Sequence, residues 1–292
     1  MTSSEHPAMQ PLSGKGGLPM LEVANEQAKA LISLYGGQVL SWVPRGEEEV
    51  LFVSERSHFT AGQPIRGGVP VCWPWFGPHA ADPGKPMHGF ARLMTWQLTS
   101  SVTLPSGASR IELMLTESPE TLALWPHPFR LVLRMEVGSH LRIALTMENT
   151  GEEPLATTSA LHSYFRLGEA AHVHITGLDD TFYIDTLQQD LHTLQRGKLQ
   201  VNQEINRIYL DTAGLCMIHD PLLERQIMVK KEGSRSTVVW NPWSERSRSM
   251  ADLGPEEYQH MVCIEACNVR HDGRTLAPSA SHTLATEFAV IH

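Results

Sequence analysis

Three stretches of the 292-residue chain combine reactive side chains with unusual surroundings. The first runs from Gly62 to Arg92, GQPIRGGVPVCWPWFGPHAADPGKPMHGFAR, dense in glycine, proline and aromatics, with Trp73, Trp75 and Phe76 close together. Long ordered loops of this kind are often functional. Arg66, Lys85 and Arg92 outnumber Asp82 here, a local surplus of positive charge in a chain of net charge −9. Such a patch points to a small anionic ligand rather than a polyanion. The competing reading is that the aromatics cap one end of the fold and the cations are solvated. The second stretch is Ser-Ala-Leu-His-Ser-Tyr-Phe over 159–165. On a strand, His162 shares a face with Ala160 and Tyr164, well placed for a pocket wall, although any one of 15 histidines can serve a structural role. The third is Met261-Val-Cys-Ile-Glu-Ala-Cys-Asn268. Period two sets Cys263, Glu265 and Cys267 on one face and Val262, Ile264 and Ala266 on the other. A carboxylate in that setting requires a partner or a function. A buried ion pair and a metal site on Cys263, Glu265 and Cys267 are both open. The metal is awkward, because same-face residues stand about 7 Å apart along a strand, and no Cys-x-x-Cys accompanies them.

The elements that must position these residues are strands. From about residue 20 the dominant period is two, most clearly over Arg130–Glu148. Leu131, Leu133, Met135 and Val137 alternate with polar or smaller residues, and so do Leu141, Ile143, Leu145 and Met147. Because the apolar set is odd-numbered on both arms, Val137 should sit opposite Leu141, with Gly138, Ser139 and His140 in a loop of three residues or one containing a bulge. A two-residue turn would put the two apolar sets on opposite faces. Further strands are expected at Ala28–Leu34, Val39–Val43, Arg110–Thr116, Ser159–Arg166, Ala171–Thr176, Leu215–Asp220, Gln226–Lys231, Thr237–Asn241, Met261–Val269 and Ser281–Val290. Short helices are expected near Glu117–Leu124 and Pro255–Gln259. No repeat and no shift in composition divides the chain. The expected fold is all-β, one large antiparallel sandwich over residues 19–292, preceded by a flexible tail over residues 1–18. Gly14-Lys-Gly-Gly17 lacks the spacing and the hydroxyl residue of a phosphate loop and reads as linker.

Composition narrows the function. With 41% hydrophobic and 19% charged residues the chain is neither disordered nor supercharged. Net charge −9 argues against nucleic acid as partner. No apolar run approaches the roughly 18 residues of a membrane span, and the polar start MTSSEHPAMQ lacks the apolar segment of a secretion signal. Cys72, Cys216, Cys263 and Cys267 show no framework spacing and are expected to be free thiols of a cytoplasmic protein.

The three stretches together resemble a family. Ile65-Arg-Gly-Gly-Val-Pro-Val-Cys-Trp-Pro-Trp-Phe-Gly77, His88-Gly-Phe-Ala-Arg92, Leu161-His-Ser-Tyr-Phe165 and Val262-Cys-Ile-Glu-Ala266 occur in order. They are similar to motifs of the glucose-6-phosphate 1-epimerases, or D-hexose-6-phosphate mutarotases, a branch of the aldose 1-epimerase family. The likeness spans residues 20 to 290. It implies the galactose-mutarotase-like fold, an antiparallel β-supersandwich with the ligand on its concave face. It also implies interconversion of the α and β anomers of a hexose 6-phosphate, glucose 6-phosphate first among them, by ring opening and reclosure. Carried over residue by residue, the resemblance makes His162 the general acid at the ring oxygen and Glu265 the general base at the C1 hydroxyl. It places Arg66 and Arg92 on the phosphate, with His88 beside the sugar. Lys85 is added here as an outer-rim contact. No cofactor, metal or covalent intermediate is implied, and a monomer whose only partner is a small sugar phosphate is expected.

Two departures bear on sugar choice. Asn206-Arg-Ile-Tyr209 stands where the family has an acidic first residue, so Asn206 keeps an acceptor, loses a charge and gains a donor. Met87 stands where some members have glutamine. The alternative to an epimerase is a non-catalytic sugar-phosphate-binding protein on the same fold, which would need neither His162 nor Glu265. A glycoside hydrolase usually requires two carboxylates, where the resemblance supplies one carboxylate and one histidine.

Overall fold

The fold was taken from a computed structural model, which describes residues 8–212 and 214–292. Its elements are overwhelmingly strands, and every strand pair in its sheets is antiparallel. A nine-stranded sheet runs Leu199–Gln200, His174–Thr176, Cys216–Asp220, Arg225–Glu232, Ser281–Ile291, His140–Asn149, Phe129–Val137, Ser109–Thr116 and Gln97–Thr103. An eight-stranded sheet runs Leu191–Leu194, Phe182–Asp185, Ile205–Tyr209, Ser236–Asn241, Met261–Asn268, Ser159–Leu161 and Val71–Cys72, with Tyr164–Arg166 also pairing to Met261–Asn268.

The hairpin register follows the apolar pattern. Val137 lies opposite Leu141, and the Gly138 amide donates to the His140 carbonyl across the three-residue loop at 3.0 Å. The odd-numbered residues of both arms are buried. They join one apolar core that reaches from Leu21 to Phe288 and includes Leu161, Phe165, Val262, Ile264 and Ala266 from the other sheet. Phe165 meets Phe288 edge-on at 4.9 Å, linking the two layers. Among the described residues, no helix is long and apolar enough to cross a membrane.

Three expectations need correction. Residues 8–18 are not a free tail: Ala8–Ser13 pairs along its whole length with Pro19–Ala24, as the edge of a four-stranded sheet completed by Ala28–Ser33 and Gln38–Pro44. Leu12 packs beside Leu18 and Met20, which offsets the ordering cost that glycines and prolines suggested. The remainder of the expected tail, residues 1–7, lies outside the described residues. Second, Ser159–Arg166 is not one strand but two, broken at His162 and Ser163. Third, Ala170–His172 forms a short 3-10 turn, so that strand begins at His174. Helix Trp243–Arg248 was not expected; six residues rich in serine and arginine show no apolar stripe.

Candidate active site

Glu265 sits in the middle of Met261–Asn268, a strand whose eight residues are all buried. The reason is position: one face looks into the core between the sheets, the other onto a cleft. Val262, Ile264 and Ala266 belong to the core. Cys263 and Cys267 join small apolar clusters on the opposite face, with Glu265 between them. That face alternation is the one the sequence predicts.

The same strand positions His162. Leu161 pairs with Ala266 and Tyr164 with Cys263, so the register carried through the break sets His162 opposite Glu265. At the break, the Ser163 amide donates back to the Leu161 carbonyl at 3.0 Å, a three-residue turn centred on His162. The His162 amide is taken by the Pro70 carbonyl at 3.0 Å. The imidazole is therefore held by local turns as well as by the ladder. Its ring stacks on Tyr164, with centroids 4.7 Å apart and planes 8° from parallel. His162 Nε2 stands 3.4 Å from Glu265 Oε1, and the side chains are 7% and 1% exposed. Two residues 103 positions apart in sequence thus meet as cross-strand neighbours.

Burial decides their protonation. It pushes the Glu265 carboxyl well above its ordinary value, with the Arg92 charge offsetting part of the rise. It pulls His162 well below the ordinary histidine value, and the fields of His88, Arg66 and Arg92 add to the fall. Both groups are driven toward their neutral forms, well away from the reference values. Glu265 Oε2 and His162 Nδ1 are buried with no hydrogen-bond partner among the described residues. Unsatisfied polar atoms at a cleft floor are costly, and a ligand with hydroxyl groups would satisfy them.

The cleft above them has a volume of about 1010 Å³, and Arg66, His88, Arg92 and Asn206 all line it with His162 and Glu265. His88 has φ 63 and accepts the Gly77 amide on Nδ1 at 3.1 Å, while its own amide donates to the Gly77 carbonyl at 2.7 Å. Burial, then the charges of Arg92 and Arg66, keep this imidazole neutral. With Nδ1 occupied as an acceptor, the ring proton is on Nε2, and His88 is a donor within 5.8 Å of the His162 ring centre. The next residue must be glycine: Gly89 has φ 73, and a Cβ there would stand 2.0 Å from the Trp73 carbonyl oxygen.

Arg92 is 7% exposed; its Nη2 donates to the Met87 carbonyl at 2.8 Å, and its Nε has no partner among the described residues. A buried guanidinium without a carboxylate is an invitation to an anion. Arg66 is more committed. Its Nε and Nη2 both reach Asp252 Oδ2, at 3.1 and 2.9 Å, and its Nη1 donates to the Tyr164 hydroxyl at 2.9 Å. Asn206 lies on Ile205–Tyr209, where its backbone carbonyl accepts from Thr186 at 2.9 Å and its side-chain amide has no hydrogen-bond partner among the described residues. Lys85 does not line the cleft.

The aromatics of the loop divide between the two readings given for them. Trp73 is fully buried against Phe90, Trp125 and Phe129 and Trp75 packs near it, whereas Phe76 lines the cleft edge-on to His88. Sequence reasoning missed Asp252, Glu204, Trp240, Arg246 and Arg270. Asp252 follows a helix that has no apolar pattern, and only the need of a half-buried Arg66 for a counter-charge could have pointed to it. Among the described residues, no three His, Cys, Asp or Glu side chains stand together as a metal-binding group. The Cys263 and Cys267 thiols are pushed well up, first by burial and then by Glu265, which keeps them protonated.

The family model described as Aldose 1-epimerase matches residues 19–289. A protein of Escherichia coli (strain K12) named "Putative glucose-6-phosphate 1-epimerase" is 39% identical over 265 residues, covering 91% of this chain and 88% of its own. The crystal structure of a "putative mutarotase" from Salmonella typhimurium superposes with a TM-score of 0.89 at 35% identity, covering 99% of this chain and 95% of that one. A galactose mutarotase-like protein from Lactobacillus casei, at 15% identity and a TM-score of 0.74, shares the fold over 93% of this chain and 100% of its own. The paired imidazole and carboxylate, the cationic cleft and the supersandwich thus stand in a chain that belongs to the aldose 1-epimerase family.

Proposed function

We propose that this isomerase interconverts the α and β anomers of hexose 6-phosphates, glucose 6-phosphate first among them, with His162 as general acid and Glu265 as general base. The observation that carries the reading is the 3.4 Å approach of His162 Nε2 to Glu265 Oε1 on the floor of an arginine-lined cleft. Glu265 takes the proton from the C1 hydroxyl, the O1 electron pair forms the carbonyl, the C1–O5 bond breaks, and O5 receives the His162 proton. Rotation about C1–C2 and the reverse steps deliver the other anomer.

The protonation directions suit this chemistry. A carboxylate with an imidazolium holds as many protons as a carboxylic acid with an imidazole, and ring opening converts the first pair into the second. Burial favours the second. The reactive pair forms when the Glu265 proton passes to His162 across 3.4 Å, a step that the same burial makes costly. Once formed, a carboxylate with a raised pKa is a stronger base and an imidazolium with a lowered pKa is a stronger acid, which drives both transfers toward the open chain. In this reading the guanidinium groups of Arg92 and Arg66 receive phosphate oxygens, His88 donates to the sugar, and Asn206 contacts a hydroxyl.

The test is exchange NMR on α- and β-glucose 6-phosphate, with the spontaneous rate subtracted. Cross-peaks that grow with enzyme concentration support the reading, and exchange at the uncatalysed rate refutes it in favour of a binding protein. The phosphate contacts are tested separately. Arg92→Ala, and Arg66→Ala combined with Asp252→Asn so that no carboxylate is left bare, should each raise KM for glucose 6-phosphate by about 10- to 100-fold. Free glucose should be affected much less. An equal rise for both substrates removes the phosphate role.

A further inference from the structure

Four arginines line the cleft, and three are engaged within the protein. Arg66 is held by Asp252 and Tyr164, Arg92 by the Met87 carbonyl, and Arg270 by Asp190 through Nη2–Oδ2 at 2.9 Å. Arg246 is the fourth. It is exposed, and its guanidinium makes neither a hydrogen bond nor an ion pair with any described residue.

Its backbone, in contrast, is fixed. Helix Trp243–Arg248 starts at Trp243 with φ 52, where the amide donates to Asn241 Oδ1 at 2.8 Å. Asn241, itself fully buried, donates to the Met261 carbonyl at 2.7 Å and the Tyr258 carbonyl at 2.9 Å. The helix is thereby tied to the first residue of the strand that carries Glu265. Trp243 packs on Tyr258 at 5.1 Å, and Ser247 closes the helix onto the Trp243 carbonyl at 2.6 Å. The segment from 240 to 252 forms one wall: Trp240, Arg246 and Met250 line the cleft, and Asp252 holds Arg66. Glu204, which lines the same cleft, feels the Arg246 charge, and Glu245 precedes Arg246 on the helix; among the described residues neither forms an ion pair with it.

A phosphate monoester carries close to two negative charges at neutral pH. The Asp252 carboxylate offsets the charge of Arg66, whereas Arg246 has no such counter-charge in contact among the described residues. We propose that Arg246 is a specificity-determining residue, a fixed-base, free-headed arginine that closes on the phosphoryl group when substrate binds and selects phosphorylated over free hexoses. The inference rests on the phosphosugar reading of this site. A guanidinium suits the role because its planar fork meets two phosphate oxygens at once, and it has no internal bond to break first.

The experiment uses the full chain with Arg246→Gln and Arg246→Lys, with glucose 6-phosphate and glucose as substrates and orthophosphate as inhibitor. For Arg246→Gln, kcat/KM on glucose 6-phosphate should fall by about 10- to 100-fold, mostly through KM. Glucose exchange should stay within about twofold, orthophosphate inhibition should weaken in step, and Tm should be unchanged, as for an exposed side chain without partners. Arg246→Lys should recover part of the loss. A wild type that prefers glucose 6-phosphate, with Arg246→Gln leaving that preference intact or harming both substrates equally, overturns the Arg246 assignment alone. A wild type that exchanges glucose as fast as its phosphate overturns the phosphosugar reading, and Arg246 with it.

Discussion

Glu265→Gln should reduce anomer exchange to the spontaneous rate, a loss of about 10²- to 10⁴-fold per proton-transfer group, while making the folded protein more stable at pH 7. The first half follows from the proposed role: an amide has the shape of the carboxyl but cannot accept the hydroxyl proton. The second follows from burial. Glu265 is 1% exposed and its pKa is raised well above the ordinary value. In the unfolded chain it ionises near pH 4.3, so at pH 7 folding must either bury the charge or take up a proton. A raised pKa confers stability that is fully present below the unfolded value and lost as pH climbs toward the folded value. Glutamine, neutral in both states, lacks this dependence. The Tm of Glu265→Gln should therefore exceed that of the parent at pH 7, with the gap closing as pH falls toward 4.3. A variant that retains exchange within tenfold removes Glu265 as base. A Tm below the parent at pH 7 contradicts the protonation argued for it.

His162→Ala should lose a comparable factor, about 10²- to 10⁴-fold, and should regain part of it when free imidazole is supplied. Removing the ring vacates the space above Tyr164, on which it stacks at 4.7 Å, and that space opens on the cleft. Water fills it, so the packing cost is smaller than for a sealed core cavity. Imidazole fits the same gap and restores an acid. Rescue that saturates with imidazole, and that fails in the His162→Ala, Glu265→Gln double variant, marks proton donation. A purely structural histidine would give neither the loss in kcat nor the rescue. Exchange unaffected by His162→Ala would leave the acid unassigned.

The fold and its reactive pair were legible for different reasons. Alternation over 130–148 determined a register because only one pairing puts both apolar sets on one face, and Val137 does lie opposite Leu141. The odd–even split of Met261–Asn268 told which side Glu265 occupies. The meeting of His162 with Glu265 was legible only through resemblance, since period two says nothing about which strands adjoin. The strand break at His162 left no trace in composition, because it arises where the Pro70 and Leu161 carbonyls accept the amides of His162 and Ser163 in place of a continuous ladder. Arg246 and Asp252 were illegible for a related reason. Their segment is short, polar and without period, and it matters only because Asn241 ties it to the rim of the cleft. The tail misread had a simpler cause: Gly14, Gly16 and Gly17 look like linker, yet they turn Ala8–Ser13 back onto Pro19–Ala24.

The strand that bears Glu265 has no solvent side. Every substitution along it touches either the packing of two layers or the floor of the cleft, so there is no neutral position through which it can drift. Ile264, buried in the core, has its backbone amide bonded to the carbonyl of Ser163, the neighbour of His162, at 3.2 Å. A methylene lost there would be felt as a displaced imidazole before it was felt as an unfolded protein. The wall and rim segments, by contrast, can vary in sequence while the floor stays as it is.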